Sequence, residues 1–570
     1  MTGARAAAST TLLALLAPLA RAQEGAAAPS AFVERPDCGL DFRHVRYTTP
    51  TKKYLCETAG SGVGLLDYDG DGDLDVYCVQ GCPLPGYPGS DPTLPDMLYR
   101  NEGGLRFTPV ALEWQENGSA RKLGLGDLRY GMGVSCPDVD NDGRPDLFVT
   151  NVGRDALYRN DGDGTFTDVT ESSGIVDDFW STAAGWADLD GDGDLDLYLA
   201  NYALIDFEKY RVCGSPPEKV AYCHPDMLKS APDRLFRNDG GFRFTEVTKE
   251  AGIAEVMQGG KGLAVLPFDV NGDGRLDLFV ANDADPNYLW VNLGGMKFED
   301  QAGWLGVAVS GKGASQSCMG SDVGDVDGDL DLDLFSANFG KEPSVLYVRG
   351  AGEFFEDRSY PSGIGEPSYL LTGFGSRFLD YDKDGDVDLI VVNGHIVDNA
   401  AELDPSQSFE QLPHFYENRG GGLFDQVGPR LSPFFTKRNL GRGLATGDLD
   451  DDGDLDVVVL ENDHPVVVLE NRVANGNHWV GFSLTGTASP RSAIGATVVL
   501  DCAGRKQIQI ITGSASYLSW NDLRVFFGVG AVDPAQFRAA ATIRWPSGRV
   551  QEVKDLALDR YHAISEPSSQ

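Results

Sequence analysis

With 570 residues and a formal net charge of −39, the chain is too long for one ordinary core and repels phosphate backbones and anionic lipid surfaces. Nucleic acid is therefore not an expected partner. A 42% hydrophobic content with 70 glycines describes a folded, turn-rich chain, not a disordered or helical one.

The N-terminus reads as a secretory signal over residues 1–22. Arg5 precedes the apolar run Thr11 to Ala20, and Ala20-Arg21-Ala22 offers small residues for cleavage. Residues 23–36 read as a linker. The leader is shorter than the roughly 20 apolar residues a spanning helix needs, and no later segment reaches that length. The expectation is a secreted protein, or a periplasmic one if the source is Gram-negative. Nine cysteines in an exported chain favour disulfides. Cys213 and Cys223 bracket a Gly-Ser-Pro-Pro insertion and are the expected pair, whereas spacing assigns no partners to Cys38, Cys56, Cys78 and Cys82.

From residue 37 onward one Asp-rich loop recurs seven times. The first copy places Asp67, Asp69, Asp71, Asp73 and Asp75 at positions 1, 3, 5, 7 and 9 of the loop. The same positions hold Asp138, Asp140, Asp142, Arg144 and Asp146 in the second, and Asp188, Asp190, Asp192, Asp194 and Asp196 in the third. The fourth has Asp269, Asn271, Asp273, Arg275 and Asp277, and the fifth Asp325, Asp327, Asp329, Asp331 and Asp333. The sixth has Asp380, Asp382, Asp384, Asp386 and Asp388, and the seventh Asp448, Asp450, Asp452, Asp454 and Asp456.

Positions 1, 3, 5 and 9 offer side-chain oxygens and position 7 a backbone carbonyl, which is why Arg144 and Arg275 belong to the candidate ligand set. A glycine at position 6 permits the sharp turn. An all-oxygen set of this size selects Ca2+ over Mg2+, up to one ion per loop. Four carboxylates within about 5 Å of one another repel by roughly 3 kcal/mol per pair at an effective dielectric near 20, so an empty loop is under strong electrostatic stress. An EF-hand is excluded because its twelfth position requires Glu, where these loops have Cys78, Val149, Leu199, Val280, Ser336, Val391 and Val459. Asn271 in the fourth loop and Leu330 at the turn position of the fifth predict weaker sites there.

The flanks repeat too. Small residues stand seven and five positions before each first Asp, as in Gly60/Gly62 and Gly441/Gly443, which suggests a tightly packed inner strand. Apolar β-branched or aromatic runs such as Leu147-Phe148-Val149 follow the loops as strands, and Asn160-Asp161-Gly162 or Asn238-Asp239-Gly240 then signal hairpins. Units of strand, loop, strand, hairpin and strand cannot bury both sheet faces alone and must pack on one another. The fold class expected is all-β: a seven-bladed β-propeller over 37–474, followed by a small β-sandwich or barrel over 475–567. That second domain carries nine Lys or Arg against seven Asp or Glu from residue 477 onward, which favours docking on the acidic propeller.

The loops resemble the FG-GAP, or VCBS-like, repeats of the integrin α head, where similar loops hold calcium. Asn477-His478-Trp479, Gly513 to Ser519, Phe527-Gly528-Val529-Gly530 and Arg544-Trp545-Pro546-Ser547-Gly548 resemble the ASPIC/UnbV domain. Together they make the mature chain similar to the cartilage acidic protein family in a bacterial-type form, with no EGF-like module following. The resemblance implies extracellular binding or cell adhesion and no reaction.

Two functions remain open at this point: a calcium-dependent scaffold for an extracellular protein or glycan, expected to be a monomer, and a secreted propeller enzyme acting on polysaccharide as a lyase or hydrolase. No catalytic constellation is recognisable. His395 follows a strand and would face the central funnel, but a lone histidine reads first as a hydrogen-bonded structural residue. Trp479, Trp520 and Trp545 read as packing before they read as a sugar platform. Asn117-Gly118-Ser119 is a glycosylation sequon.

Overall fold

The computed structural model describes residues 30–90, 92–110, 124–215, 219–253, 260–350, 352 and 354–568. The leader at 1–22 and the sequon at Asn117 lie outside the described residues. Seven four-stranded antiparallel sheets each carry one Asp-rich loop between their first and second strands. The first sheet, for example, is Val63–Leu66, Asp75–Cys78, Met97–Asn101 and Phe107–Pro109. Second strands such as Leu147–Val152 and Asp277–Asn282 are apolar on both faces because a neighbouring blade covers each face. The fourth strand escaped the sequence pattern: it is three residues long, as in Phe166–Asp168, with one buried residue and two exposed ones. So short and polar an edge does not template further pairing.

Each inner strand touches the inner strands on either side, and that of the seventh blade touches that of the first, so the sheets close into a propeller. The small residues permit this approach. A Cβ on Gly320 would lie 2.1 Å from the carbonyl oxygen of Phe374 in the next blade, and one on Gly62 would lie 2.0 Å from that of Leu518.

Residues 23–36 are not wholly a linker, and the propeller does not begin at 37. Phe32–Glu34 pairs with Val467–Asn471 as the outermost strand of the seventh blade, so the two ends of the propeller sequence close one sheet. Phe32 is fully buried against Tyr381, Phe415 and Phe435, an apolar site that the seventh blade would otherwise expose.

The C-terminal domain is a two-sheet sandwich. Val525–Gly530, His478–Thr485 and Tyr561–Ser565 form one sheet, the last pair parallel; Arg505–Ile510, Thr497–Cys502, Ala539–Arg544 and Val550–Leu556 form the other. Its core is continuous with that of the first three blades. Trp479, Trp520 and Trp545 are all buried, as the packing reading expects. Cys213 and Cys223 are joined, as expected; the other seven cysteines are free thiols.

Residues 513–521 leave the sandwich and enter the propeller axis. The Gly513 carbonyl accepts from Trp186 N–H, Ser516 exchanges backbone hydrogen bonds with Ser321, and the Leu518 carbonyl accepts from Val134 N–H. Trp520 pairs with Val63 and Leu65, and the Asn521 side chain accepts from Thr446 N–H. With the Ser376 N–H to Ser516 Oγ bond at 3.2 Å, six of the seven inner strands are tied to one segment. It fills the channel as a plug.

Truncating Phe32 to Ala should cost about 3–5 kcal/mol, because it empties a closed apolar site and loosens ring closure together. Urea denaturation measures this, and a loss below about 1 kcal/mol would show that Phe32–Glu34 does not close the ring.

Candidate metal centres

The loops share one hydrogen-bond plan. The position-1 carboxylate accepts from the backbone N–H groups of positions 5 and 6, at 3.1 and 3.0 Å in the first loop and 3.0 and 2.9 Å in the second. Position 5 accepts from the N–H of position 7, as Asp71 does from Asp73 and Asp452 from Asp454. Position 9 starts the second strand and uses both oxygens: Asp75 accepts from Tyr68 N–H at 3.0 Å and Asn101 N–H at 2.8 Å, and Asp333 likewise from Val326 and Arg349. Leu330 holds the turn at φ 74, and its N–H still reaches Asp325 at 3.1 Å, so the fifth loop keeps the shared geometry at the cost of a strained residue.

The plan converges the carboxylates. In the first loop, oxygens of Asp67, Asp69 and Asp71 lie within 4.8 Å of one another; in the second, third, fifth and sixth, positions 1, 3 and 9 do. Asp140 Oδ1 and Asp450 Oδ1, both at position 3, are buried with no hydrogen-bond partner. Oxygens placed this way fit a hard cation, and nothing else among the described residues satisfies these two.

Five position-7 side chains have partners of their own. Arg144 and Arg275 each fold back to pair with their own loop's Asp142 and Asp273. Asp194 accepts from Asn141 at 2.8 Å, Asp386 pairs with Arg505 at 2.7 Å, and Asp454 with Lys383 at 2.6 Å. Asn271 Oδ1 accepts from Asp273 N–H at 2.9 Å, the bond an Asp makes at position 3 of the third loop.

Burial drives the protonation of these groups. It pushes Asp75, Asp146 and Asp333 up to about 8 and Asp138, Asp188 and Asp325 up to about 6, with neighbouring loop carboxylates adding to the rise.

Sequence reasoning missed how the loops are joined. The hairpin asparagines are struts: Asn101, Asn160, Asn238, Asn292, Asn418 and Asn471 each donate Nδ2 to the position-2 carbonyl of the loop in the preceding blade. The distances run from 2.8 Å for Asn101 to Leu449 to 3.1 Å for Asn238 to Val139. The fifth blade has Arg349 at this place and lacks the strut.

The C-terminal domain covers part of the loop face. Gly528 N–H and Tyr561 O–H donate to the position-1 carboxylates Asp380 and Asp448, both at 3.0 Å. Arg524 reaches Asp451 and the Asp448 carbonyl, each at 2.6 Å, and Arg491 N–H reaches Asn141 at 2.7 Å. On the opposite face His395 is buried; its Nδ1 accepts from Val397 N–H at 3.2 Å, and no carboxylate or second base among the described residues bonds it.

Comparison with known proteins agrees with this architecture. Residues 138–199, 269–336 and 380–459 match the FG-GAP-like repeat, and residues 486–570 match the family described as ASPIC and UnbV. Cartilage acidic protein 1 of Mus musculus is 25% identical over 529 residues, covering 89% of this chain and 73% of that protein. The Homo sapiens protein is 24% identical over 513 residues, covering 86% and 69%. Among solved structures, YCF48 from Cyanidioschyzon merolae aligns with TM-score 0.41 at 11% identity over 77% of this chain and 99% of its own. An Agrocybe aegerita lectin specific for non-reducing terminal N-acetylglucosamine aligns with TM-score 0.38 at 15% identity over 73% and 95%. The molecule is thus an FG-GAP-type propeller joined to an ASPIC/UnbV domain. Over most of its length it is similar to the cartilage acidic proteins. No helix among the described residues is long and apolar enough to cross a membrane.

Two expectations follow. Asn160→Ala removes a buried strut with three partners and should cost about 1–3 kcal/mol in chemical denaturation. In chelator, the position-9 carboxyls that titrate near 3.8 when unfolded and near 8 when folded bind extra protons in the folded state. Stability of the metal-free chain should therefore fall as pH rises from about 4 to about 8, and urea midpoints that rise across this window would contradict the assignment.

Proposed function

We propose that this chain is a secreted, calcium-binding propeller that serves as an extracellular binding or adhesion scaffold for a protein or glycan. The observation that carries the reading is the set of converged carboxylates on backbone-fixed loops, with the position-3 oxygens of Asp140 and Asp450 buried and unsatisfied. Positions 1, 3, 5 and 9 and the position-7 carbonyl would supply the oxygens, with Arg144 and Arg275 contributing through the backbone alone. The cation would supply the positive charge that the clustered carboxylates lack. Extracellular calcium suits loops of this kind, since modular sites of about 10⁻⁴ to 10⁻³ M fill only outside the cell. The leader supports export, and the match to proteins named for cartilage supports an extracellular scaffold over an enzyme.

The partner face is the cleft of about 660 Å³ that the C-terminal domain leaves over the third, fourth and fifth loops. Arg349 and Arg544 line it from the two domains; neither forms an ion pair among the described residues, and Arg349 Nε is buried without a partner. In so acidic a chain, two unpaired guanidiniums facing one cleft favour an acidic partner.

Calcium titration of the chelated chain should raise the melting temperature, each filled site adding about 2.7 kcal/mol at a hundredfold excess over its Kd. Asp140→Asn with Asp142→Asn should remove one equivalent in calorimetry, and the fourth and fifth loops should be the weakest. No thermal response to calcium, or seven equal affinities, would refute the reading.

A further inference from the structure

The mouth of the propeller opposite the loops is built over by three long segments. They are residues 47–59, the 202–233 connection of the third blade that contains the Cys213–Cys223 bridge, and the 394–413 connection of the sixth. Lys52 pairs with Asp398 at 2.7 Å, Tyr54 O–H donates to the Phe207 carbonyl at 3.2 Å, and Asn399 donates to the Val220 carbonyl at 3.1 Å. Each contact crosses from one segment to another, so the roof is a single stitched structure. Plain blade turns do not need it.

Beneath the roof lies a cavity of about 220 Å³, floored by the plug residue Tyr517. Three ring pairs wall it: Trp180 with Tyr202, centroids 4.3 Å apart; Phe339 with His395 at 5.3 Å; and Phe374 with Tyr517 at 5.0 Å. Aromatic walls of this kind take either a flat ring or an organic cation.

Charge decides between the two. Arg442 is fully buried, stacks 3.8 Å from the Phe374 centroid, and donates only to the carbonyls of Thr58, Gly394, Gly441 and His395. Its positive charge stands behind the wall with no carboxylate paired to it among the described residues. The acid lining the cavity, Asp283, already accepts Tyr202 O–H at 2.5 Å, and burial raises its pKa. A cationic guest would meet a cation and no free anion.

Trp180 and His395 add two donors to the lining. Trp180 is 1% exposed and its Nε1–H has no partner. His395 spends its Nδ1 lone pair on Val397 N–H, which leaves the ring proton of the neutral imidazole on Nε2, an atom without a partner among the described residues. Burial and the Arg442 charge lower its pKa to about 4, so it stays neutral at physiological pH. Apolar cavities of about 150 Å³ hold benzene, so this one holds a ring with a substituent.

We propose that this chamber is a binding site for a small, neutral aromatic molecule bearing a carbonyl, with the ring between the aromatic walls and the carbonyl oxygen accepting from Trp180 and His395. The assignment stands apart from calcium binding and partner recognition on the opposite face.

Calorimetry on the calcium-loaded mature chain tests it with three probes: acetophenone, ethylbenzene as a ring without an acceptor, and phenyltrimethylammonium as a cation. Acetophenone should bind at about 1 mM or tighter, ethylbenzene about tenfold more weakly, and the cation not measurably. Trp180→Phe should cost acetophenone about tenfold and leave ethylbenzene unchanged. Ala221→Phe, which fills the chamber from the roof hairpin, should abolish both with an unchanged melting temperature. Absence of acetophenone binding, binding indifferent to both substitutions, or preference for the ammonium ion would each overturn the proposal. Loss of calcium binding would leave it standing.

Discussion

The position-9 carboxylate is the constraint on which the rest of the fold depends. It is buried at the root of each loop, accepts one backbone N–H from its own loop and one from the third strand, and so fixes where the loop begins relative to its sheet. The asparagine that supplies the second N–H also spans to the neighbouring blade. Intra-blade and inter-blade geometry are thereby set by one adjoining pair of residues. Burying an acid in this way is unfavourable unless it is bonded and its charge is met. The ladder of N–H donors supplies the first condition, and the cation proposed above would supply the second.

The two faces of the propeller divide the remaining work. On the loop face, a slightly basic domain offers Arg505, Arg524, Gly528 N–H and Tyr561 O–H to an acidic surface. Gly528 and Tyr561 donate to position-1 carboxylates of the sixth and seventh loops, so loop conformation and domain docking share atoms there. The plug at 513–521 extends the coupling through the axis: Tyr517 O–H donates to the Ala59 carbonyl at 2.7 Å, on the far side of the ring. The C-terminal domain thereby contacts both faces of the propeller through one continuous segment.

Much of this was legible in the sequence, because repetition multiplies weak signals. Seven copies of an oxygen pattern at odd positions specify the loops, and the small residues before each Asp locate the inner strands. The Cys213–Cys223 pair was readable because it brackets a local hairpin. What was hidden is long-range. Phe32 gives no local sign that it completes a blade whose other strands begin some 400 residues later, at Gly441. The Asn struts look like ordinary hairpin residues, since an Asn-Asp-Gly turn and an inter-blade bridge use the same letter. The three-residue outer strands are too short for periodicity to register. The cavity was touched only through His395, and its other walls come from separate blades and a second domain.

The departures from the repeat are informative for the same reason. Asn271 and Arg275 occur in the fourth loop, Leu330 in the fifth, and Arg349 replaces the strut that every other blade keeps, leaving the Val270 carbonyl without its bridge. Arg275, Leu330 and Arg349 all line the cleft between the C-terminal domain and the third to fifth loops. Three of these departures, in the fourth and fifth blades, thus meet at one cleft. Local rules fail at functional sites more often than elsewhere, because a residue chosen for recognition displaces one chosen for the fold. The fifth blade tolerates the loss because Arg349 keeps the strut's other role: its backbone N–H still closes the bond to Asp333 at 2.8 Å. The guanidinium is then free to face the cleft, and the blade retains its loop while giving up its bridge.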